Sequence, residues 1–167
     1  ANLIYSENPN WTGVGRLISD TKLLVDLLVS DDRVDGERIG IAGHSLGGKM
    51  AFYTGCLDDR VKVIVASDFG IGWDQTNWRD TWYWGDKVDD LEKAGMDHAQ
   101  LLGAAAPVPM CLIAGQYDNM DSWEMMCRAP GYAPEEERLK IIHHATGHTP
   151  PRAALEEGYA FLDRWLR

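Results

Sequence analysis

Apolar residues occur either in short continuous runs or at steps of three and four along the chain. These two patterns predict strands that alternate with helices. Four short apolar runs predict buried strands near 39–43, 61–66, 110–114 and 139–142. Between these runs apolar residues recur at steps of three and four, which is typical of amphipathic helices. The helices predicted in this way span 12–30, 49–57, 88–102 with a break near Gly95, 122–127, and a closing segment that is capped by Thr149.

The order of these elements predicts the fold class. Short apolar strands that alternate with helices are typical of a parallel sheet with helices on both faces, so we expect a three-layer α/β fold. Residues 1–11 are polar and rich in turn formers, which predicts a loop. No repeat or low-complexity segment divides the chain, and we expect residues 1–167 to form a single domain.

The most informative motif joins the first predicted strand to the helix that follows it. Gly43-His44-Ser45-Leu46-Gly47 has the pattern Gly-x-Ser-x-Gly between an apolar strand and a helix. A serine on such a turn projects its hydroxyl from the carboxyl end of the sheet, and the flanking glycines allow the backbone to turn tightly. Ser45 is therefore predicted to be a catalytic nucleophile.

Two later loops supply partners for this serine. A serine hydroxyl needs a histidine that accepts its proton and an acid that orients the histidine. Asp118 follows the third predicted strand and His148 follows the fourth, at the sheet end where functional groups gather. Asp68, just past the second strand, is the alternative acid, and Asp121 is a weaker one. The predicted triad is Ser45, Asp118 and His148, in the order serine, acid, histidine.

Several segments of the chain resemble the α/β-hydrolase superfamily. Residues 31–40, 43–48 and 57–61 are similar to the approach to the nucleophile, the turn and the next strand of its dienelactone-hydrolase-like and acetyl-xylan-esterase-like branch. The resemblance covers nearly the whole chain from residue 12 to residue 167. It implies a hydrolase fold, but only its carboxyl-terminal part, because family members carry several strands before the helix that precedes the turn.

The resemblance also implies roles for individual residues. Ser45 would be the nucleophile, Asp118 the acid, His148 the base and the Leu46 backbone N–H one donor of the oxyanion hole. The N-terminal strands of the family are absent from the chain, which leaves its first strand without an upstream neighbour. We therefore expect a fold truncated at its N-terminus that belongs to a longer protein, pairs with a second chain, or forms a homo-oligomer.

An aromatic segment follows the second predicted strand. Trp73, Trp78 and Trp82 are predicted to form one wall of a binding cleft, because aromatic faces stack on sugar or aromatic rings. The alternative is that they pack over the sheet with no contact to substrate. His44, inside the turn, is predicted to line the same cleft, or to pack beside the turn.

Composition narrows the range of functions. The formal net charge is −10 and the calculated pI is about 4.8, which argues against a nucleic-acid or anionic-membrane partner. Three cysteines without a Cys-x-x-Cys spacing argue against a disulfide framework or a zinc site. His143 and His144 point to opposite faces of a strand, so at most one of them could join His148 on a metal ion, and no metal is expected.

The function predicted from the sequence is hydrolysis of a small carboxylic ester through an acyl-enzyme. This chemistry needs no cofactor. A short acyl ester on a carbohydrate is one substrate that the family resemblance and the tryptophans favour. The alternatives are a serine peptidase of the prolyl-oligopeptidase type and a non-catalytic hydrolase-fold fragment that acts as a binding module.

Overall fold

Four parallel strands form the sheet on which the helices pack. The computed structural model describes residues 2–133 and 136–167. The strands are β1 (Ile39–His44), β2 (Val61–Ser67), β3 (Met110–Ala114) and β4 (Leu139–His143), and they lie in the spatial order β1-β2-β3-β4. All three strand pairs are parallel. The four strands predicted from the apolar runs are confirmed.

The helices agree with the predicted pattern except at two places, the segment 2–7 and the start of the closing helix. They are α1 (Asn2–Glu7), α2 (Gly13–Val29), α3 (Leu46–Leu57), α4 (Lys87–Lys93), α5 (His98–Ala104), α6 (Met120–Cys127) and α7 (Arg152–Trp165). Residues 2–7 are helical where a loop was predicted. The predicted break near Gly95 is confirmed, because Gly95 has a φ of +69° that ends α4 before α5 begins. The closing helix has Pro151, not Thr149, at its N-cap.

Alternate residues of the central strands face two separate apolar cores. In β2, Ile64 and Ala66 face the core that contains Phe52 of α3. Val63 and Val65 face the opposite core, which is covered by α7. Side chains of successive strand residues point to opposite faces of a sheet, so strands buried on both faces are apolar throughout. The predicted three-layer arrangement is confirmed.

Two features of the fold leave backbone or apolar groups uncovered. Within the described residues, β1 pairs only with β2 and forms an edge of the sheet. Helix α2, which packs on α3, carries exposed leucines, with Leu23, Leu24 and Leu27 at 61%, 58% and 65% exposure. An unpaired strand edge and an apolar helix face are both surfaces that other protein segments can cover.

None of the helices in the described part of the chain combines the length and the apolar character needed to cross a membrane.

Strand register places the loop residues that carry polar groups at one end of the sheet. His44 of β1 is paired with Ser67 of β2, and Ser67 is in turn paired with Ile113 of β3. Ala114 of β3 is paired with His143 of β4. Because the strands are parallel and end at the same level, the four following loops begin side by side.

Candidate active site

Ser45 occupies a strained turn between β1 and α3. Its φ is +56° and its ψ is −115°, a combination that non-glycine residues rarely adopt and that is common at functional sites. A Cβ atom at Gly43 would lie 1.9 Å from the Gly47 carbonyl oxygen, so the turn requires glycine at this position. A side chain at Gly47 would meet open space, so only the first glycine of the motif is sterically required. The Ser45 amide donates to the Ser67 carbonyl at 2.8 Å, which holds the turn against β2.

His148 lies between Ser45 and an aspartate. Its Nε2 atom is 3.0 Å from Ser45 Oγ, and its Nδ1 atom is 2.6 Å from Asp68 Oδ2. An ionised carboxylate can only accept hydrogen bonds, so Nδ1 carries the proton in this contact. In the neutral ring Nε2 is then free to accept the hydroxyl proton of Ser45, which is the arrangement that activates a serine.

Asp68 directly follows β2, and the surrounding backbone favours its charged form. Its Oδ1 atom accepts from the amides of Tyr117, Asp118 and Gly115 at 2.7, 3.2 and 3.3 Å. Burial opposes ionisation, but the hydrogen bonds from His148 and from backbone amides, Tyr117 and Asp118 among them, outweigh it and lower the pKa of the carboxyl. Asp68 also has a positive φ of +44°. The site therefore holds an ionised acceptor at a fixed position against His148.

The predicted contact between Asp118 and His148 is wrong. Asp118 is buried, and its carboxylate accepts from the amides of Gly70 and Ile71 at 2.9 and 2.8 Å and from Ser122 Oγ at 3.0 Å. Burial raises the pKa of this carboxyl despite these donors, and the charge of Asp68 raises it further. Asp118 therefore ties the loop after β2 to the loop after β3, while Asp68 contacts the histidine. The weaker alternative, Asp121, lies exposed in α6.

A close backbone approach brings His148 across the end of β3. The histidine loop follows β4, whereas Asp68 follows β2, so this loop must pass over the strand between them. A Cβ atom at Gly115 would lie 2.3 Å from the Gly147 carbonyl oxygen and 2.4 Å from His144 Cε1. Only glycine at position 115 leaves room for the histidine loop to reach Asp68.

The cleft beside Ser45 has a volume of about 430 Å³ and a largely polar lining. Besides Ser45, Asp68 and His148, its walls contain the residues Lys49, Phe69, Thr76, Asn77, Tyr83 and Tyr117. The Tyr117 ring also packs edge-on against the His148 ring, with centroids 5.0 Å apart. This opening gives a substrate access to both Ser45 and His148.

The predicted tryptophan wall is wrong. Trp73 and Trp78 are buried in the core around α3 and α5, which is the alternative interpretation of this segment. Trp82 is half exposed, but it lines a different cavity together with Trp11 and Leu17. The chain turns irregularly after β2, so the spacing of the tryptophans did not indicate which of them point outward.

The remaining predicted residues lie next to the cleft. The His44 ring lies 4.6 Å from the His148 ring, centroid to centroid, and its Nδ1 atom is 3.1 Å from Ser67 Oγ. Burial and the nearby His148 lower the pKa of His44. His44 is thus beside His148 and outside the cleft lining. Leu46 is the first residue of α3, and the first N–H groups of a helix have no intrahelical acceptor.

Sequence reasoning missed Lys49 and the other polar residues of the cleft wall. For Lys49 a signal was available, because it lies four residues after Ser45 and side chains at this spacing share one helix face. Thr76, Asn77 and Tyr83 lie in an irregular segment where no periodicity indicates direction. In the parts of the chain described here, no group of three or more His, Cys, Asp or Glu side chains is arranged to hold a metal ion.

The chain is similar to a known family and to a curated protein. Residues 14–124 match the prolyl oligopeptidase family, Peptidase_S9. The chain is also 27% identical over 164 residues to "Putative hydrolase YtaP" of Bacillus subtilis (strain 168), and the match covers 91% of this chain and 54% of that protein.

Solved structures share the fold at low sequence identity. A glucuronoyl esterase from Solibacter usitatus superposes with a TM-score of 0.77 at 19% identity, covering 94% of this chain and 50% of the esterase. A CE15 glucuronoyl esterase from Teredinibacter turnerae T7901 gives a TM-score of 0.70 at 20% identity, covering 88% and 45%. The 2,6-dihydroxy-pseudo-oxynicotine hydrolase gives 0.66 at 20% identity, covering 93% and 47%. The predicted α/β-hydrolase fold is confirmed, and the chain spans about half the length of these relatives.

Proposed function

We propose that this chain, which belongs to the prolyl oligopeptidase family, carries the catalytic residues of a serine hydrolase that cleaves carboxylic esters through an acyl-enzyme. The observation that carries this proposal is the hydrogen-bonded chain from Ser45 through His148 to Asp68, at 3.0 and 2.6 Å. We assign Asp68 as the acid in place of Asp118. An ester hydrolase fits this arrangement because its nucleophile, base and orienting acid are already in contact.

The acylation step follows from the geometry. Ser45 Oγ attacks the ester carbonyl carbon as its proton moves to His148 Nε2, and the ionised Asp68 stabilises the imidazolium that forms. The carbonyl electron pair moves onto oxygen, where the Leu46 N–H at the start of α3 donates to it. The tetrahedral species collapses, the carbon–oxygen ester bond breaks, and the leaving alcohol takes the proton from His148. The products of this step are the alcohol and an acyl-serine.

Deacylation repeats the same proton transfers with water. His148 Nε2 accepts a proton from water as the water oxygen attacks the acyl carbon. The second tetrahedral species then releases the carboxylic acid, and the proton returns to Ser45 Oγ. The His148 ring keeps one orientation through both steps because Asp68 is held by three backbone amides.

A short acyl ester of a carbohydrate is the substrate class that we favour. The cleft wall offers hydroxyl, amide and phenol groups from Thr76, Asn77 and Tyr83, which can bind sugar hydroxyls. Several of the superposed proteins are glucuronoyl esterases by name, and this supports a carbohydrate ester by analogy of fold. Because Trp73 and Trp78 are buried, they give no support to a carbohydrate substrate.

Peptide hydrolysis is the second function that an observation favours. The family match over residues 14–124 is to prolyl oligopeptidases, and the same triad order serves ester and peptide cleavage. Amide cleavage differs in requiring that His148 protonate a poorer leaving group.

One experiment separates these activities. We expect the purified protein to hydrolyse 4-nitrophenyl acetate, to leave a proline-containing dipeptide anilide uncleaved, and to react with a fluorophosphonate at Ser45 alone. In the Ser45→Ala variant, turnover should fall by about 10⁴-fold or more and labelling should be lost, since triad members act as a unit. Cleavage of the anilide with no ester turnover would favour the peptidase, and labelling of Ser45→Ala would refute the nucleophile.

A further inference from the structure

Lys49 is a buried cation in the wall of the catalytic cleft. It lies on α3, one helical turn beyond Ser45, and only 4% of its surface is exposed. Both residues line the same cleft, together with His148. A lysine is rarely buried to this degree unless a partner compensates its charge. The position of Lys49 therefore calls for a physical reason beyond packing.

Neutral groups surround the ammonium. Lys49 Nζ donates to Thr76 Oγ1 at 2.9 Å and to Asn77 Oδ1 at 3.0 Å. It also lies 3.9 Å from the ring centroid of Trp78 and 4.2 Å from that of Tyr83. An ammonium has three N–H donors, so the two hydrogen-bonded oxygens leave one donor for another acceptor.

Within the described residues, this ammonium contacts neutral oxygens and aromatic rings but forms no ion pair. Across residues 2–133 and 136–167, no carboxylate lies within ion-pair distance of Lys49 Nζ. Burial lowers the pKa of Lys49 to about 8, although the more distant charges of Asp80 and Asp118 oppose this effect. The cleft therefore holds a desolvated cation, and an anion that enters the cleft would stabilise this charge.

We propose that Lys49 is a specificity-determining residue that binds a carboxylate group on the substrate. The proposed function supplies the reaction on which this inference rests, and the inference adds that the preferred esters carry a negative charge. A hydrogen bond between an ammonium and a carboxylate is charge-assisted and is about twice as strong as one between two neutral groups, and the carboxylate also supplies the missing counter-charge. The overall charge of −10 repels anions, so a local cation is needed to retain such a substrate.

Matched esters test this preference. Mono-4-nitrophenyl glutarate and 4-nitrophenyl valerate have acyl chains of the same length, and only the first carries a carboxylate. The pair 4-carboxyphenyl valerate and phenyl valerate places the charge on the alcohol side instead. We expect kcat/KM of the protein to be higher for the charged member of at least one pair. Equal values within both pairs, or a preference for both neutral members, would overturn the proposal.

Substitutions assign the preference to Lys49. In Lys49→Met the charged-to-neutral ratio of kcat/KM should fall by about 10- to 100-fold, the effect expected for loss of a hydrogen bond to a charged group. Lys49→Arg should keep part of the ratio, and Lys62→Met, which removes a charge outside the cleft, should keep all of it. A loss that is equal for charged and neutral esters would indicate a structural role and contradict the proposal. If circular dichroism shows that Lys49→Met does not fold, the test uses Lys49→Arg instead. The charged-to-neutral ratio of kcat/KM should then be lower in Lys49→Arg than in the unmodified protein, and equal ratios would contradict the proposal.

A pH series provides a second readout on the same substrates. The preference should be present below the pKa of Lys49, about 8, where the ammonium is charged, and lost as pH rises above it. The groups that act electrostatically on this lysine or lie against it are Asp80, Asp118, His98 and Tyr83. Of these, Tyr83 has a raised pKa because of burial, so its proton is retained through the range of the test. A preference unchanged from pH 7 to above pH 9 would contradict the assignment.

A binding measurement keeps this inference separate from the proposed function. Ser45→Ala should bind mono-4-nitrophenyl glutarate by calorimetry at least about 10-fold more tightly than Ser45→Ala/Lys49→Met does. If the protein cleaves no ester but this difference is found, the proposed reaction fails and the carboxylate site stands. If esters are cleaved but the two variants bind alike, the reaction stands and the role of Lys49 is refuted.

Discussion

Replacing Asp68 by Asn tests how the acid controls the histidine. The asparagine has the same shape but only one acceptor oxygen, and Asp68 uses both of its oxygens. Three backbone amides converge on Oδ1, and His148 Nδ1 donates to Oδ2. The asparagine oxygen will face the amides, because its NH₂ group would otherwise oppose three donors. That NH₂ group then faces His148 Nδ1.

This exchange changes the tautomer of His148. Nδ1 must accept from the asparagine NH₂, so the ring proton moves to Nε2, which points at Ser45 Oγ at 3.0 Å. A protonated Nε2 cannot accept the serine proton, and the nucleophile loses its base. The same replacement in a serine-protease triad lowers kcat by about 10⁴-fold. We expect a fall of this size here, which corresponds to about 5 kcal/mol in the activation free energy.

The assay is kcat for 4-nitrophenyl acetate together with the rate of fluorophosphonate labelling at Ser45. Asp118→Asn is the matched control, since it is the same chemical change at a buried carboxylate in the adjoining loop. Both variants should show native circular dichroism, and Asp118→Asn should keep turnover within about tenfold of the unmodified protein because it leaves the tautomer of His148 unchanged. If Asp68→Asn retained more than about a tenth of the turnover, or Asp118→Asn lost as much as Asp68→Asn, the assignment of the acid would be refuted.

Three further predictions concern the supports of the site and the exposed side of the fold. Gly115→Ala should lower kcat/KM by about 10²-fold, since the new Cβ would displace the histidine loop at Gly147. Unchanged kinetics would show that the loop accommodates the methyl group without moving His148. Asp118→Asn should lower the free energy of unfolding in urea by about 1–3 kcal/mol, because its NH₂ group opposes the amide of Gly70 or Ile71, and an unchanged midpoint would contradict this. The 167-residue chain on its own should self-associate through the edge of β1 and the leucines of α2, and Leu27→Glu should reduce its sedimentation coefficient; a monomer before the substitution would refute this.

Much of the fold could be predicted because it depends on local pattern. Each strand contains a short apolar run, and the runs in the two central strands are buried on both faces of the sheet, which makes them easy to recognise. The turn at Ser45 depends on residues close in sequence, and Gly43 is required there by a contact within the motif itself. His148 was identifiable because it lies in the loop after the last strand, where parallel strands place functional groups. These inferences need only neighbours along the chain.

The acid could be chosen only from the tertiary structure. Asp68 and Asp118 both follow a strand at the same end of the sheet, and the sequence interpretation chose Asp118, which the structure corrects. The choice depends on where the histidine loop crosses β3, and that crossing is set by the close approach at Gly115. It also depends on which carboxylate lies within hydrogen-bond distance of His148 Nδ1, and that carboxylate is Asp68. Contacts between residues 47 to 80 positions apart decide both points.

The cleft wall was likewise decided by long-range packing. Trp73 and Trp78 are buried because the loop after β2 folds back over α3 and α5, and no periodicity in that segment reports this path. Lys49 has a helical spacing from Ser45 that the sequence displays, but its burial and its lack of a carboxylate partner within the described residues depend on Thr76, Asn77 and two aromatic rings brought from elsewhere. The sequence alone therefore determined the strands, the turn at Ser45 and the loop that carries His148. The partner of that histidine and the charge of the cleft were decided by tertiary contacts, because they depend on distances between loops that are far apart along the chain.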